Sequence, residues 1–476
     1  MLNVSFQTSA RNCNGVSRRD FVRAGVLGAT GLSLPTLLRA QNTFASSGSV
    51  KDKSVVFLFL AGGPSQYETF DPKMTAPAEV RSVTGEIATN LPGVTFAGMF
   101  PQLARHADRL AIVRSFQPDG AGIHEAETIR MLTGGTVEPR NNKMVGEGAS
   151  IGAIHARIRG MNHPVTGAPA YAFLQAPELD EFYINFFLSC AQQGSAPGGL
   201  GPAYAPFTPT GSGPGVENLK LNIPADRLTD RRRLLSAFDR LNRNADHSGM
   251  IAGLDRFSQQ AFNVLAGDSV RKALDLSQED PHTLARYDTT SHIVYGHKDS
   301  KLSGASKIGT QLLTARRLCE AGCRFVTVAS SGWDMHGDGN NPNVLRGTEM
   351  LGPPLDQAVA AFLEDVEARG LTKDILIVIT GEFGRTPRLD NNGGRSHWAG
   401  ICPLLLAGGG LNMGQVVGQS AKNGDVPATD PITIRDLMAT ITHTVFDVGQ
   451  LRLRTDLPSE IVRLAESGRP IQRLLG

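Results

Sequence analysis

Val55-Val56-Phe57-Leu58-Phe59-Leu60, closed by Ala61-Gly62-Gly63-Pro64-Ser65, is an unbroken apolar run ending in a Gly-rich turn. A strand covered by helices on both faces reads this way, because neither of its faces has to be polar. Four further runs repeat the pattern. Leu110-Ala111-Ile112-Val113 follows a helical stretch from Phe100 to Arg109, and Phe325-Val326-Thr327-Val328 follows a helix over Thr310 to Ala321. Ile375-Leu376-Ile377-Val378-Ile379 follows an amphipathic helix over Leu355 to Arg369, while Leu404-Leu405-Leu406-Ala407 precedes Gly408-Gly409-Gly410. Apolar strands alternating with helices predict an α/β fold, a three-layer αβα sandwich around a mostly parallel sheet. Function in such a fold is expected at the carboxyl ends of the strands.

The chain around these runs has 476 residues, long enough for a sizeable core. Charged residues make up 19% and Gly 53 positions, a balance that excludes a disordered, collagen-like or coiled-coil chain. The net charge of +2 is concentrated at the start. Residues 1–40 carry five Arg and one Asp, a local +4, which leaves −2 for the remainder. The bulk therefore has no broad basic footprint, and nucleic acid is not an expected partner.

That positive segment reads as an address. Ser17-Arg18-Arg19-Asp20-Phe21-Val22 precedes Ala24 to Leu38, an apolar stretch interrupted by Gly25, Gly28, Gly31 and Pro35. It is too short and too Gly-rich for a membrane span of about 20 residues. Paired Arg, a weakly hydrophobic core and a small-residue exit predict a twin-arginine signal over residues 1–45, with cleavage after Ala40 or within Thr43-Phe44-Ala45. The twin-arginine translocase is then a partner during export, and the mature protein is expected in the periplasm or outside the cell. That route carries folded proteins, which suits one that already holds a metal. No later stretch approaches 18 apolar residues.

Of the five Cys, Cys13 lies in the signal; Cys190, Cys319, Cys323 and Cys402 form no C-x-x-C and are expected to be buried thiols. A domain over residues 50–460 is interrupted by an insertion at about 191–300. Residues 191 to 217 are packed with Gly and Pro, and Ala225 to about Ser291 is polar and helix-like, with Arg231-Arg232-Arg233. This insertion is expected to cover one side of the sheet, either as a lid or as a helical subdomain that adds surface. His282, His292 and His297 within it read as surface residues.

Four polar clusters fall beyond strand ends: His124-Glu125-Ala126-Glu127, Gly332-Trp333-Asp334-Met335-His336, Thr380-Gly381-Glu382-Phe383-Gly384-Arg385 and Gly394-Arg395-Ser396-His397-Trp398. A carboxylate and an imidazole two apart in an extended loop can reach one cation, and a further His and Glu complete a mixed N/O site. The Gly-rich turns fit neither nucleotide-binding pattern, and Ser65 is not in a G-x-S-x-G elbow.

These motifs also carry a resemblance. Gly62-Gly63-Pro64-Ser65-Gln66-Tyr67-Glu68-Thr69-Phe70-Asp71-Pro72-Lys73, Gly332-Trp333-Asp334-Met335-His336, Gly381-Glu382-Phe383-Gly384-Arg385-Thr386-Pro387 and Gly394-Arg395-x-His397-Trp398 are similar to the DUF1501 family. Arg316-Arg317-Leu318-Cys319-Glu320-Ala321-Gly322 resembles that family's helix before the Trp-Asp strand, and the likeness runs from about Ser54 to Asp447. The resemblance implies an alkaline-phosphatase-like αβα sandwich related to sulfatases and phosphatases; the family's own activity is not established.

Carried over residue by residue, the superfamily pattern implies one cation held by Asp334, His336 and His397, with Glu382 as fourth ligand or base. Zinc, manganese and calcium are the candidate ions. Counting from Met131-Leu132-Thr133-Gly134, His124 occupies the place of a sulfatase's formylglycine precursor. A His cannot become formylglycine, so it enters as a catalytic ligand, acid, base or nucleophile. Arg385 is expected to pair with a sulfate or phosphate oxygen. The Asp usual after the first strand is replaced by Ala61-Gly62-Gly63, with Glu68 or Asp71 as stand-ins. The implied function is a metal-dependent hydrolase of sulfate or phosphate esters, such as those of an anionic polysaccharide. The alternative is a non-catalytic envelope protein that keeps the fold and binds an anionic glycan or an exported protein.

Overall fold

The computed structural model describes residues 48–118, 120–137, 148–176, 181–209, 268–295, 303–339, 341–458, 461–462 and 467–475. The signal segment, Arg231-Arg232-Arg233, His297 and the centre of the expected insertion lie outside these residues.

Every apolar run named above forms a strand. In chain order the strands that build the central sheet and its edge are β1 Ser54–Ala61, β2 Ala111–Val113, β3 Tyr171–Ala176, β4 Phe325–Ser331, β5 Ile375–Thr380, a two-stranded ribbon of β6 Gly384–Arg385 and β7 His397–Trp398, then β8 Leu404–Gly408 and β9 Gln415–Val417. Apart from the ribbon they make one seven-stranded sheet in the order β9-β2-β8-β5-β1-β4-β3. β1 lies between β4 and β5 and runs parallel to both, and β3 runs parallel to β4. β8 departs from the expected direction, pairing antiparallel with β5 and with β2. A strand buried on both faces shows the same apolar run whichever way it points, so its direction leaves no mark in the pattern.

The helices are α1 His124–Leu132, α2 Ile151–Arg159, α3 Glu181–Gly194, α4 Ile308–Glu320, α5 Val344–Ala368 and α6 Ile434–Val445. They cover the sheet as the two outer layers of an αβα sandwich. α2 sets the buried His155 ring 4.8 Å from that of Phe325 in β4. α4 packs on β1, β3 and β4 with α5 behind it, while α1 pairs with α3. Where a helix was expected over Phe100 to Arg109, there are two short pieces, Pro101–Ala104 and a 3-10 turn at Ala107–Arg109. α5 begins eleven residues before the expected Leu355 and runs through Pro353 and Pro354. Two prolines normally stop a helix, because each removes a donor and crowds the preceding turn. Asn343 opens this one by accepting from Arg346 N at 2.9 Å.

The described end of the insertion is fastened to this helical layer. The short helix Ser269–Leu274 packs on α4 and Pro281–Tyr287 on α5. Between them Glu279 takes ion pairs from Arg316 at 2.5 Å, Arg317 at 2.6 Å and Arg369 at 2.7 Å. His282 is exposed, and half-buried His292 meets Gln357 Oε1 at 3.1 Å.

The registers bring the loops together. Ala61 stands opposite Ser331, and Phe59 opposite Thr380, so β1, β4 and β5 end at one edge. Thr380 is opposite Leu404, and Leu404 opposite Val113, so β8 starts and β2 ends at that same edge. All four polar clusters emerge there.

Candidate metal centre

The Asp334–His336 loop leaves β4 directly and is clamped from two sides. Trp333 N donates to Ala61 O at 3.1 Å, and Gly62 beside it adopts φ +116°. A Cβ on Gly62 would lie 2.6 Å from Asp334 N, so no larger residue fits this crossing. On the other side Arg395 N donates to Met335 O at 3.1 Å. A Cβ on Gly394 would fall 1.7 Å from His336 O, so the strand carrying His397 passes directly beneath His336. The ribbon pairs Arg385 with His397, fixing the last two motifs against one another.

The result is a convergence of acceptor atoms. One ligand atom from each of His124, Asp334, His336 and His397 lies within 4.8 Å of the others. Asp334 Oδ1 is 3.0 Å from His336 Nε2, 3.3 Å from His397 Nε2 and 3.4 Å from His124 Nε2. The two Nε2 atoms of His336 and His397 are 2.8 Å apart. Behind His397, Nδ1 donates to the Gly122 carbonyl at 2.7 Å. A carbonyl only accepts, so this bond puts the proton on Nδ1 and turns the Nε2 lone pair inward. His124 Nδ1 donates in the same way to Glu382 Oε1 at 2.8 Å. Its buried Nε2 has no hydrogen-bond partner. Three imidazoles and a carboxylate facing one point fit a divalent cation, whose charge would offset the crowding of their lone pairs.

Aromatic rings wall the centre. The His124 ring is 4.9 Å from Phe187 and 5.0 Å from Phe383, and His397 is 4.7 Å from Phe383. The open side is toward His336 and His397, whose side chains are 23% and 24% exposed against 9% for His124. Burial pulls the His124 imidazole down, but the Asp334 and Glu382 carboxylates beside it outweigh it and hold the pKa at about 9. Burial raises the Asp334 carboxyl, yet the facing His124, His336 and His397 imidazoles and the Arg385 charge keep it far below the carboxylate range. Burial lowers His397 against the pull of Asp334.

All six residues singled out in the sequence reach this edge, though their grouping differs from the expected one. His124 opens helix α1 rather than sitting in a loop, and it stands with Asp334, His336 and His397. Glu382 lies on the far side of the His124 ring, fully buried, where Oε1 also accepts from Gly62 N at 2.8 Å. Arg385 is buried and committed: it pairs with Asp334 Oδ1 at 2.6 Å and donates to the carbonyls of Gly62, Gly63 (2.7 Å) and Arg395 (2.9 Å). It holds Asp334 in place and presents no free donor pair to a ligand.

Glu68 and Asp71 are engaged elsewhere and do not join the cluster. Glu68 pairs with Arg395 at 3.2 Å and with the Ser65 hydroxyl; Asp71 meets Lys73 at 3.2 Å and the Ser420 hydroxyl. Two supports were missed. Fully buried Arg395 stacks on Tyr67 at 4.4 Å and donates to Val80 O at 2.9 Å, tying down the loop before His397. The Gln66 amide spans the ribbon, giving to Arg385 O and taking from Arg385 N, each at 2.9 Å. Of the two Trp, Trp333 is buried, while the part-exposed Trp398 donates to Asp425 O at 2.5 Å.

Residues 52–475 match the family described as "Protein of unknown function (DUF1501)". No curated protein matches the chain. Among solved structures, PsFucS1 sulfatase from Pseudoalteromonas sp. is 11% identical, with 86% of this chain and 69% of that one covered and a TM-score of 0.34. Phosphonate monoester hydrolase from Silicibacter pomeroyi is 12% identical, with 88% and 76% covered and a TM-score of 0.35. Alkaline phosphatase from the Antarctic bacterium TAB5 is 10% identical, with 88% and 98% covered and a TM-score of 0.34.

Proposed function

Since this chain belongs to the DUF1501 family, whose function is unknown, we propose an activity from the centre itself: metal-dependent hydrolysis of a sulfate or phosphate ester. The observation that carries the reading is the convergence of His124, Asp334, His336 and His397 within 4.8 Å at the sheet edge. Three imidazoles against one carboxylate favour zinc over calcium, which prefers all-oxygen donors. When bound, such an ion supplies Lewis-acid polarisation of an ester oxygen and lowers the pKa of a bound water. Asp334 and the three imidazoles hold it, and Arg385 keeps Asp334 aimed inward. The exposed faces of His336 and His397 mark the side from which an ester would approach. The Phe rings around His124 exclude water from the back of the site, which strengthens every charge interaction inside it.

The twin-arginine signal expected over residues 1–45 supports an activity beyond the bacterial cytoplasmic membrane; among the described residues no helix is long and apolar enough to cross a membrane. One observation favours the second reading, an envelope protein that binds without catalysis. Four protein donors fill a tetrahedral shell, as structural zinc sites do, and Arg385 is already committed.

The test is hydrolysis of aryl sulfate and aryl phosphate esters by the zinc-loaded protein. Turnover that is abolished by a chelator, restored by zinc and lost in His336→Ala supports the hydrolase. A fully loaded protein inert toward both ester classes contradicts it and leaves the binding role.

A further inference from the structure

We propose that Glu382 is the outer carboxylate that positions His124 for the cation, rather than one of its ligands; this rests on the single-cation reading above. Glu382 lies two residues past the end of β5, at the sheet edge, and is fully buried. Its Oε1 takes the Gly62 N–H and the His124 Nδ1–H, each at 2.8 Å. Both bonds are made on the side of the ring away from Nε2, so the carboxylate that fixes the tautomer is turned from the four converging atoms. The four that do converge leave Glu382 out.

Two further observations fit this role. Glu382 Oε2 is buried without a hydrogen bond, and His124 Nε2 is buried without one as well. A buried carboxylate needs a nearby positive charge, and a cation held through the His124 ring provides it. The Nδ1–H to carboxylate bond also makes Nε2 a stronger donor, the usual arrangement behind a metal-bound His. His397 has a weaker version of the same support, since its Nδ1 gives to the uncharged Gly122 carbonyl. Phe187 and Phe383 pack on the His124 ring and hold its plane.

The experiment uses the full mature protein loaded with zinc or with cobalt as a spectroscopic probe. Glu382→Gln keeps an oxygen for both donors and removes the charge, and Glu382→Asp keeps the charge while shortening the reach. For Glu382→Gln, zinc affinity by chelator competition is expected to fall about 10–100-fold, while the cobalt absorption spectrum keeps its band positions. A changed coordination spectrum in Glu382→Gln would identify Glu382 as a ligand and overturn the inference. Unchanged affinity in both variants would overturn it too, because a merely structural Glu382 would leave zinc binding alone. Should Glu382→Gln fail to fold, Glu382→Asp and 15N chemical shifts of the His rings in the loaded parent decide the matter: Nδ1–H with Nε2 on the metal is expected for His124, and the reverse overturns it. A parent that binds neither zinc nor cobalt sinks the single-cation reading itself, an outcome distinct from both.

Discussion

At the scale of single residues, the chemistry of the centre depends on groups that never touch solvent. Arg385 spreads its donors over Asp334 and three backbone carbonyls, so it joins β1, the Asp334 loop and the ribbon in one connection. Removing such a partner strands a buried carboxylate, at a cost of about 3–5 kcal/mol. Arg385→Met is expected to lower unfolding free energy of the metal-free protein by that amount in urea titrations. Arg385→Lys should recover little of it, since one ammonium cannot reproduce the planar fork. A loss below about 1 kcal/mol in Arg385→Met would contradict the role. The ligand candidates were readable from sequence because Asp, His and Glu beyond strand ends are chemically distinctive. The division of labour was not. An Arg in a loop reads as solvated, and nothing in Gly394-Arg395 announces that Arg395 is fully buried under Tyr67.

Among the elements, α5 has a task that its amphipathic pattern conceals. The short helix Pro101–Ala104 has no side-chain cap of its own. Asp356 of α5 fills that need, accepting from Gln102 N at 2.9 Å and Leu103 N at 2.7 Å. Burial pushes this carboxyl up from 3.8 to about 6, against the pull of those two N–H groups. The folded state therefore binds the proton more tightly than the unfolded one between roughly pH 4 and 6, and stability declines as pH rises through that window. Asp356→Asn removes the titration. Between pH 4 and pH 7.5 the stability difference should move in the variant's favour by about 2–3 kcal/mol. A difference that is flat with pH would contradict this assignment. The long strands were legible because hydrophobic burial leaves continuous runs. β3, Tyr171–Ala176, was not recognised, since Gln175 and two Ala dilute its run, and three-residue β9 is too short to leave a signal.

For the whole molecule, the decisive fact is register. Ala61 opposite Ser331, Phe59 opposite Thr380 and Leu404 opposite both Thr380 and Val113 bring residues from distant parts of the chain to one edge. The sequence motifs indicated that several loops should meet. They could not indicate which carboxylate faces the shared point, because that depends on how far each loop travels past its strand. Glu382, two residues after β5, stops behind His124; Asp334, three residues after β4, passes into the centre. The αβα layers are thus a frame that brings His124, Asp334, His336 and His397 to one point, with Arg385 pairing Asp334 behind it.

The most direct measurement is elemental analysis of the mature protein recovered from beyond the cytoplasmic membrane, with an intact mass from the same sample. The expected result is a chain beginning within residues 41–46 that carries about one zinc per molecule, lost in His336→Ala and His397→Ala. A metal-free mature protein that takes up no zinc, and whose melting temperature ignores chelators, would contradict it.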